Sequence, residues 1–108
     1  MTCRVLLTDD ASRDLEELYD YIEFHDAPAR AEYVLGKIEE AIAKLAENPE
    51  RGAYPKELLA IGLRDYREIF FKPYRIIYRL SSRQVHIMLI TDGRRDMQAV
   101  LQRRLLHA

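Results

Sequence analysis

The side chains of this sequence best suited to chemistry are arginines, and they are concentrated late in the chain. Arg75 and Arg79 are embedded in Tyr74-Arg75-Ile76-Ile77-Tyr78-Arg79-Leu80, and Arg94 and Arg95 stand in Asp92-Gly93-Arg94-Arg95-Asp96. Solubility alone does not explain arginines set among apolar residues. A guanidinium is a rigid fork of donors that pairs bidentately with carboxylate or phosphate. That chemistry serves recognition of an acidic partner. It also serves charge stabilisation when a phosphodiester is cut, but cleavage by a 2′-hydroxyl further needs a base for that hydroxyl and an acid for the leaving oxygen. His86 falls on the same strand face as Arg79 and could be a base, although a lone strand histidine is more often a bystander. His25 and His107 lie near element ends, far apart, and Cys3 is isolated, so no metal site is expected. Asp9-Asp10 read as helix capping and not as an acid/base pair. Gly93 stands alone, so there is no glycine-rich phosphate loop, and no cofactor is expected.

Charge is divided along the chain. Residues 1–62 hold 7 Lys+Arg against 14 Asp+Glu, and residues 63–108 hold 10 against 4, within an overall net charge of −1. Nine of the ten late cations are Arg. Two readings are open, internal salt bridging between the halves or a basic working face on an acidic scaffold. The length of 108 residues, with 48% apolar and 32% charged residues, fits one globular domain over residues 1–108. No run approaches a membrane span, the N-terminus lacks a signal-peptide layout, and the lone cysteine fits a reducing cytoplasm.

The elements that must position these arginines can be placed. Cys3 to Leu7 is a short β-prone run ending in a helix cap signal at Thr8-Asp9-Asp10. Ala11, Leu15, Leu18 and Ile22 then recur at helical spacing, giving a helix over about 10–25. Pro28 suits the first turn of a second helix, whose stripe of Val34, Leu35, Ile38, Ala41, Ile42 and Leu45 runs on to about Glu47 before Asn48-Pro49. So few residues join the helices that an antiparallel hairpin is expected. Residues 48–65 form a loop with a short turn at Glu57 to Ala60. Strands follow over about 65–71, 74–81 and 84–91, and a final helix begins near Asp96 with a stripe of Met97, Val100, Leu101 and Leu105. The last-turn Arg103 and Arg104 suit the helix dipole. The expected class is α+β: an N-terminal strand, an antiparallel helical hairpin packed on a small antiparallel β-sheet, and a C-terminal helix.

Two-residue turns at Lys72-Pro73 and Ser82-Arg83 would set the register. Phe71 then faces Tyr74, Ile69 faces Ile76, Leu80 faces Val85, Tyr78 faces Ile87, and Ile76 faces Leu89. One sheet face becomes nearly pure core, from Ile69 and Phe71 through Ile76, Tyr78 and Leu80 to Val85, Ile87 and Leu89. The helical hairpin should cover it. The other face mixes Tyr66, Glu68, Phe70, Arg75, Ile77, Arg79, His86, Met88 and Ile90. A mixed face of this kind suits a partner contact. In the other reading, the last helix folds back over it and Glu68 neutralises the arginines.

The order strand, helix, helix, three antiparallel strands, helix resembles the RelE/ParE toxin superfamily of type II toxin–antitoxin systems. The likeness is carried by Phe71-Lys72-Pro73-Tyr74-Arg75-Ile76-Ile77-Tyr78-Arg79 and by Ile90-Thr91-Asp92-Gly93-Arg94-Arg95-Asp96-Met97, and it is to the ParE branch in particular. The resemblance implies a toxin that inhibits DNA gyrase without nuclease chemistry and is neutralised by a cognate antitoxin. The alternatives it leaves are a ribosome-dependent mRNA endonuclease of RelE type and a non-toxic antitoxin-binding remnant. By position, Arg75 and Arg95 match two RelE arginines and would be the catalytic pair in an RNase. The RelE lysines of the second strand fall on Tyr66 and Glu68, and the RelE tyrosine falls on Leu101, so the ribonuclease set is incomplete. Target binding is therefore assigned to Arg75, Arg79, Arg94, Arg95 and Asp96. Antitoxin binding is assigned to Phe70, Arg75, Ile77, Arg79, Met88 and Ile90.

Overall fold

The computed structural model describes residues 2–106; His107 lies outside the described residues. Strand β1 spans Arg4–Leu7, helix α1 Asp9–His25 and helix α2 Pro28–Ala43, extended by a 3-10 turn over Lys44–Ala46. A short helix α3, Lys56–Leu59, interrupts the long loop, and strands β2 (Tyr66–Phe71), β3 (Tyr74–Ser81) and β4 (Gln84–Asp92) lead to helix α4, Met97–Arg104. The expected elements are all present, within a few residues at their ends. Thr8 caps α1 by accepting from the Ala11 N–H, with Asp9 and Asp10 in the first turn where the helix dipole favours anions. Asp96 caps α4 in the same way, accepting from the Ala99 N–H.

The sheet is four-stranded in the order β1-β4-β3-β2. It is mixed and not purely antiparallel, because β1 pairs in parallel with the first half of β4, Arg4 to Leu7 against Gln84 to Ile87. The β2–β3 register is the expected one, with Phe71 opposite Tyr74 and Ile69 opposite Ile76. The β3–β4 register begins as expected, with Leu80 opposite Val85 and Tyr78 opposite Ile87, and then shifts: Ile77 lies opposite Leu89 and Ile76 opposite Ile90. Met88 is the extra residue of this bulge. One inserted residue exchanges the two faces for everything beyond it. Leu89, expected on the hairpin face, moves to the other one, and Ile90 makes the opposite exchange. The sequence conceals the shift because Met88-Leu89-Ile90 is apolar at either parity.

Two cores result. The first lies between the helical hairpin and one sheet face and includes Ala31, Val34, Ile38, Ile76, Tyr78, Ile87 and Ile90. The second is small and holds Leu58, Ile77, Leu89, Met97, Val100 and Leu101. Helices α3 and α4 therefore cover the central part of the mixed face. Its expected openness is corrected: Ile77 is fully buried and Arg75 retains 7% of its surface, while Phe70 remains 50% exposed.

The outer edge of β4 beyond β1 is closed by side chains. Asp14 of α1 accepts from the Ile90 N–H at 3.0 Å and takes a bidentate pair from Arg104 at 2.8 and 2.9 Å. Arg104 also donates to the Met88 carbonyl at 3.1 Å. These are the backbone groups that the bulge and the short β1 leave without a strand partner. Arg104 thus does more than complement the helix dipole, because it clamps α4 across the sheet edge to α1. Arg104→Ala should lower the unfolding free energy by about 2 kcal/mol, the size expected for partly buried hydrogen bonds to a charged group. Urea denaturation measures it. Asp14→Asn, which keeps an acceptor for Ile90, should lose less.

Candidate functional site: the arginine turn and the ion cluster beneath it

The two arginine-bearing segments are brought together by a glycine. The Gly93 N–H donates to the Pro73 carbonyl at 2.8 Å. A Cβ on Gly93 would lie 2.6 Å from Arg75 Cδ and 2.8 Å from its Cγ. Glycine is required at this point by close approach, and the approach seats the Gly93-Arg94-Arg95 turn directly on the stem of Arg75.

Arg75 itself faces inward. Its Nη1 and Nη2 donate to the two oxygens of Glu57 at 2.8 Å each, and its Nε donates to Glu68 Oε1 at 2.8 Å. The strand pattern places Arg75 and Glu68 on one face, and α3 lays Glu57 over them. One cation is thus shared by two carboxylates, a cluster of net charge −1. This realises the reading in which Glu68 neutralises the arginine and adds Glu57, which the sequence showed only as part of a loop turn.

The carboxylates divide the load unequally. Glu57 is held below the usual carboxylate range by its hydrogen bonds from Arg75, against a smaller opposing effect of burial. Glu68 is pushed above that range by burial, which outweighs its hydrogen bond from Arg75; the Glu57 charge adds to the push. The sign of the pH dependence follows. Ionised Glu68 opposes folding, and that penalty is relieved as pH falls through its raised folded value. Glu57 contributes stability that is present above its unfolded value and lost as pH falls through its lowered folded value. Stability should therefore hold through mild acid and drop once Glu57 protonates. Glu68→Gln should flatten the mild-acid part of the profile, and Glu57→Gln should remove the drop at low pH. Thermal melts across the acid range distinguish the two.

The turn above is solvent-facing. Arg94 folds back on Asp92, donating from Nε to Oδ1 at 3.0 Å and from Nη2 to Oδ2 at 2.6 Å, and its side chain stays 75% exposed. Asp92 is correspondingly held below its ordinary range, chiefly by the hydrogen bond from Arg94. Arg95 is exposed and reaches only Thr91 Oγ1, at 3.4 Å. Asp96 serves as the cap of α4. Together with Tyr21, Asp14 and Glu17 of α1, Arg94 and Arg95 rim a groove of about 450 Å³ floored by Ile90, Thr91 and Tyr74. Ile90 reaches this groove at the sheet edge and otherwise packs in the hairpin core.

The sequence-assigned residues thus separate into two groups. Arg94 and Arg95 form one accessible cationic turn, and Phe70, Arg79 and Met88 keep exposed or partly exposed surface. Arg75, Ile77 and Ile90 are under cover. His86 is half-buried and paired across the sheet with Arg79. No cluster of His, Cys, Asp and Glu that could hold a metal ion occurs among the described residues. No helix among the described residues is long and apolar enough to cross a membrane.

The family model described as ParE toxin of the type II toxin–antitoxin system parDE matches residues 5–97. The chain belongs to the ParE toxin family. Toxin ParE3 of Caulobacter vibrioides is 31% identical over 98 residues, spanning 91% of this chain and 94% of that protein. In fold, the ParE-family chain is similar to a chain of the chromosomal ParDE system of P. aeruginosa, with a TM-score of 0.71, 19% identity, and coverage of 84% of this chain and 96% of that one. It is also similar to a chain of the RelBE2 toxin–antitoxin complex of Mycobacterium tuberculosis, with a TM-score of 0.59, 24% identity, and coverage of 85% and 92%. A mutant of E. coli toxin RelE in the free state superposes with a TM-score of 0.64, at 13% identity, over 97% of this chain and 100% of that one. The superfamily resemblance and the α+β architecture read from the sequence are thereby established, and so is membership of a type II toxin family.

Proposed function

We propose that this ParE-family toxin inhibits DNA gyrase by binding, carries no nuclease activity, and is neutralised by a cognate antitoxin. The observation that carries the reading is the state of Arg75. The arginine that would have to stabilise a phosphorane is locked between Glu57 and Glu68, in a cluster whose net charge repels phosphate. The two carboxylates beside it, Glu57 and Glu68, are both committed to the guanidinium and under cover, so neither stands free as base or acid for a transphosphorylation. The accessible cations are those of the Arg94-Arg95 turn, rimming a groove with Tyr21 at its wall, a combination suited to a protein contact. An antitoxin segment would use the surface left open by α3 and α4. Phe70 on the β2 edge is its apolar anchor, with Arg79 and Met88 as further contacts.

A supercoiling assay with purified gyrase tests the target. The chain at stoichiometric ratio should block supercoiling or provoke gyrase-dependent DNA cleavage. Arg94→Glu combined with Arg95→Glu should raise the required concentration about tenfold or more, the scale of a charge reversal within a protein interface. Primer extension on translated message should show no discrete cuts. Inert behaviour toward gyrase, with growth still arrested on expression, would remove this target.

A further inference from the structure

One end of the sheet collects arginines that have no acidic partner. Arg4 opens β1 opposite Gln84, Arg79 lies opposite Tyr66 where β2 begins, and Arg83 stands in the β3–β4 turn. Arg64 precedes β2, and Arg67 lies one residue into it. None of these five is in a salt bridge among the described residues; Arg30, Arg51, Arg95 and Arg103 are likewise unpaired, and Arg13, Arg75, Arg94 and Arg104 are paired. They lie at the end of β3 opposite to the one that carries Tyr74 and the Gly93 turn, so this surface is separate from the groove described above.

Three of the five converge. Arg64, Arg67 and Arg79 line a half-open cleft of about 270 Å³ with Tyr54, Ser81 and a single carboxylate, Asp65. Arg67 is fixed in place there. It donates to the Glu50 and Gly52 carbonyls at 3.2 and 2.9 Å and to the Tyr54 hydroxyl at 3.2 Å, and its guanidinium stacks 4.6 Å from the Tyr54 ring centre. Arg64 and Arg79 flank it, exposed. A pinned arginine with two free ones beside it is an anion seat.

We infer that this pole of the molecule binds the phosphodiester backbone of duplex DNA without reading its sequence. The extent of the surface favours a polyanion over a single carboxylate. From β1 to β2 the sheet end spans three inter-strand steps of about 4.8 Å each, comparable with the rise of three to four phosphates along one DNA strand at about 3.4 Å each. A duplex is favoured over a single strand because unpaired bases need free aromatic faces. The one aromatic ring in the cleft, Tyr54, already carries Arg67. The exposed rings of Tyr21 and Phe24 belong to α1 and that of Tyr33 to α2, and Phe70 sits near the far end of β2. An acidic peptide would in addition seek apolar pockets, and the cleft offers only Leu80. The inference goes beyond the gyrase reading and does not rest on it.

The test is fluorescence anisotropy of the full chain with a short labelled duplex of arbitrary sequence, titrated at several salt concentrations. Binding should weaken with salt at a log–log slope of about −3, the value for roughly three neutralised phosphates. Arg64→Gln with Arg79→Gln should lower affinity about tenfold or more at about 50 mM salt and reduce the slope by about two. Both are partnerless surface residues, and circular dichroism checks that the variant is folded. Arg94→Gln with Arg95→Gln should leave DNA affinity within about twofold, because that turn lies at the other end of the sheet. The inference is overturned if the native chain shows no salt-dependent binding to the duplex, or if both double variants lose affinity equally. Preference for a single-stranded oligonucleotide or for polyglutamate would overturn it as well. Since gyrase is absent from the assay, failure here leaves the gyrase result independent.

Discussion

Replacing Arg75 with alanine is expected to lower stability by about 3–5 kcal/mol, the cost of leaving buried charges without their partner. The loss would exceed that of any other arginine in the chain, because one guanidinium serves two carboxylates at side-chain exposures of 13% for Glu57 and 7% for Glu68. Without it, both must take up protons or drag water into the second core. Inhibitory activity would fall in parallel, and that loss alone would mimic the removal of a catalytic or contact residue. A triple variant separates the cases. Arg75→Met, Glu57→Leu and Glu68→Leu together replace the cluster by apolar side chains of similar volume, a change that is often neutral or stabilising. If Arg75 acts only by holding α3 on the sheet, the triple variant melts near the native temperature and still inhibits supercoiling. A folded but inactive triple variant would show that the charge is used on the target.

Much of this arrangement is legible in the sequence. Thr8, Pro28, Asn48-Pro49 and Asp96 delimit the helices because each acts through local backbone chemistry that a sequence displays. The β2–β3 register followed from alternation on both strands. Two features escaped for physical reasons. The Met88 bulge sits in a run that is apolar at both parities, so sorting by face could not detect a one-residue insertion. The second partner of Arg75, Glu57, lies 18 residues away in a four-residue helix, where no periodicity is long enough to tell which side faces the sheet. The same uncertainty made the mixed face look open. Ile77, with Leu89 brought to its face by the bulge, is matched by the helical stripe on α4, yet their pairing depends on a chain reversal at Gly93 that has no alternating pattern of its own.

Glycine at position 93 allows that reversal, but the glycine on which more depends is Gly52. Gly52→Ala is expected to cost about 3 kcal/mol, at the upper end for overpacking a site that has no room to relax. A Cβ there would meet Tyr78 Oη at 2.6 Å and the Glu68 carbonyl oxygen at 2.7 Å. The second contact is backbone of a paired strand and cannot swing aside. The first is the far end of a side chain, yet Tyr78 is fully buried and its hydroxyl is committed, accepting from the Gly52 N–H at 3.0 Å and donating to the Pro49 carbonyl at 2.6 Å. Tyr78 thereby pins residues 49–52 against the sheet, and the Gly52 carbonyl in turn holds Arg67. Displacing this segment would disturb the arginine cleft at one end and loosen the tether of α3, with Glu57, at the other. The expected result is a lowered melting temperature together with weakened duplex binding and weakened gyrase inhibition, although no residue of either surface has changed. Tyr78→Phe is the control. It removes the hydroxyl and its contact but leaves the ring carbon Cε1, at 2.8 Å from such a Cβ, and the Glu68 carbonyl in place, at a loss of about 1–2 kcal/mol for the two hydrogen bonds. If the steric contacts with the strand and the ring govern, Gly52→Ala remains the more damaging change even in the Tyr78→Phe background. Equal stability of the double variant and Tyr78→Phe alone would place the whole effect on the tyrosine hydroxyl instead.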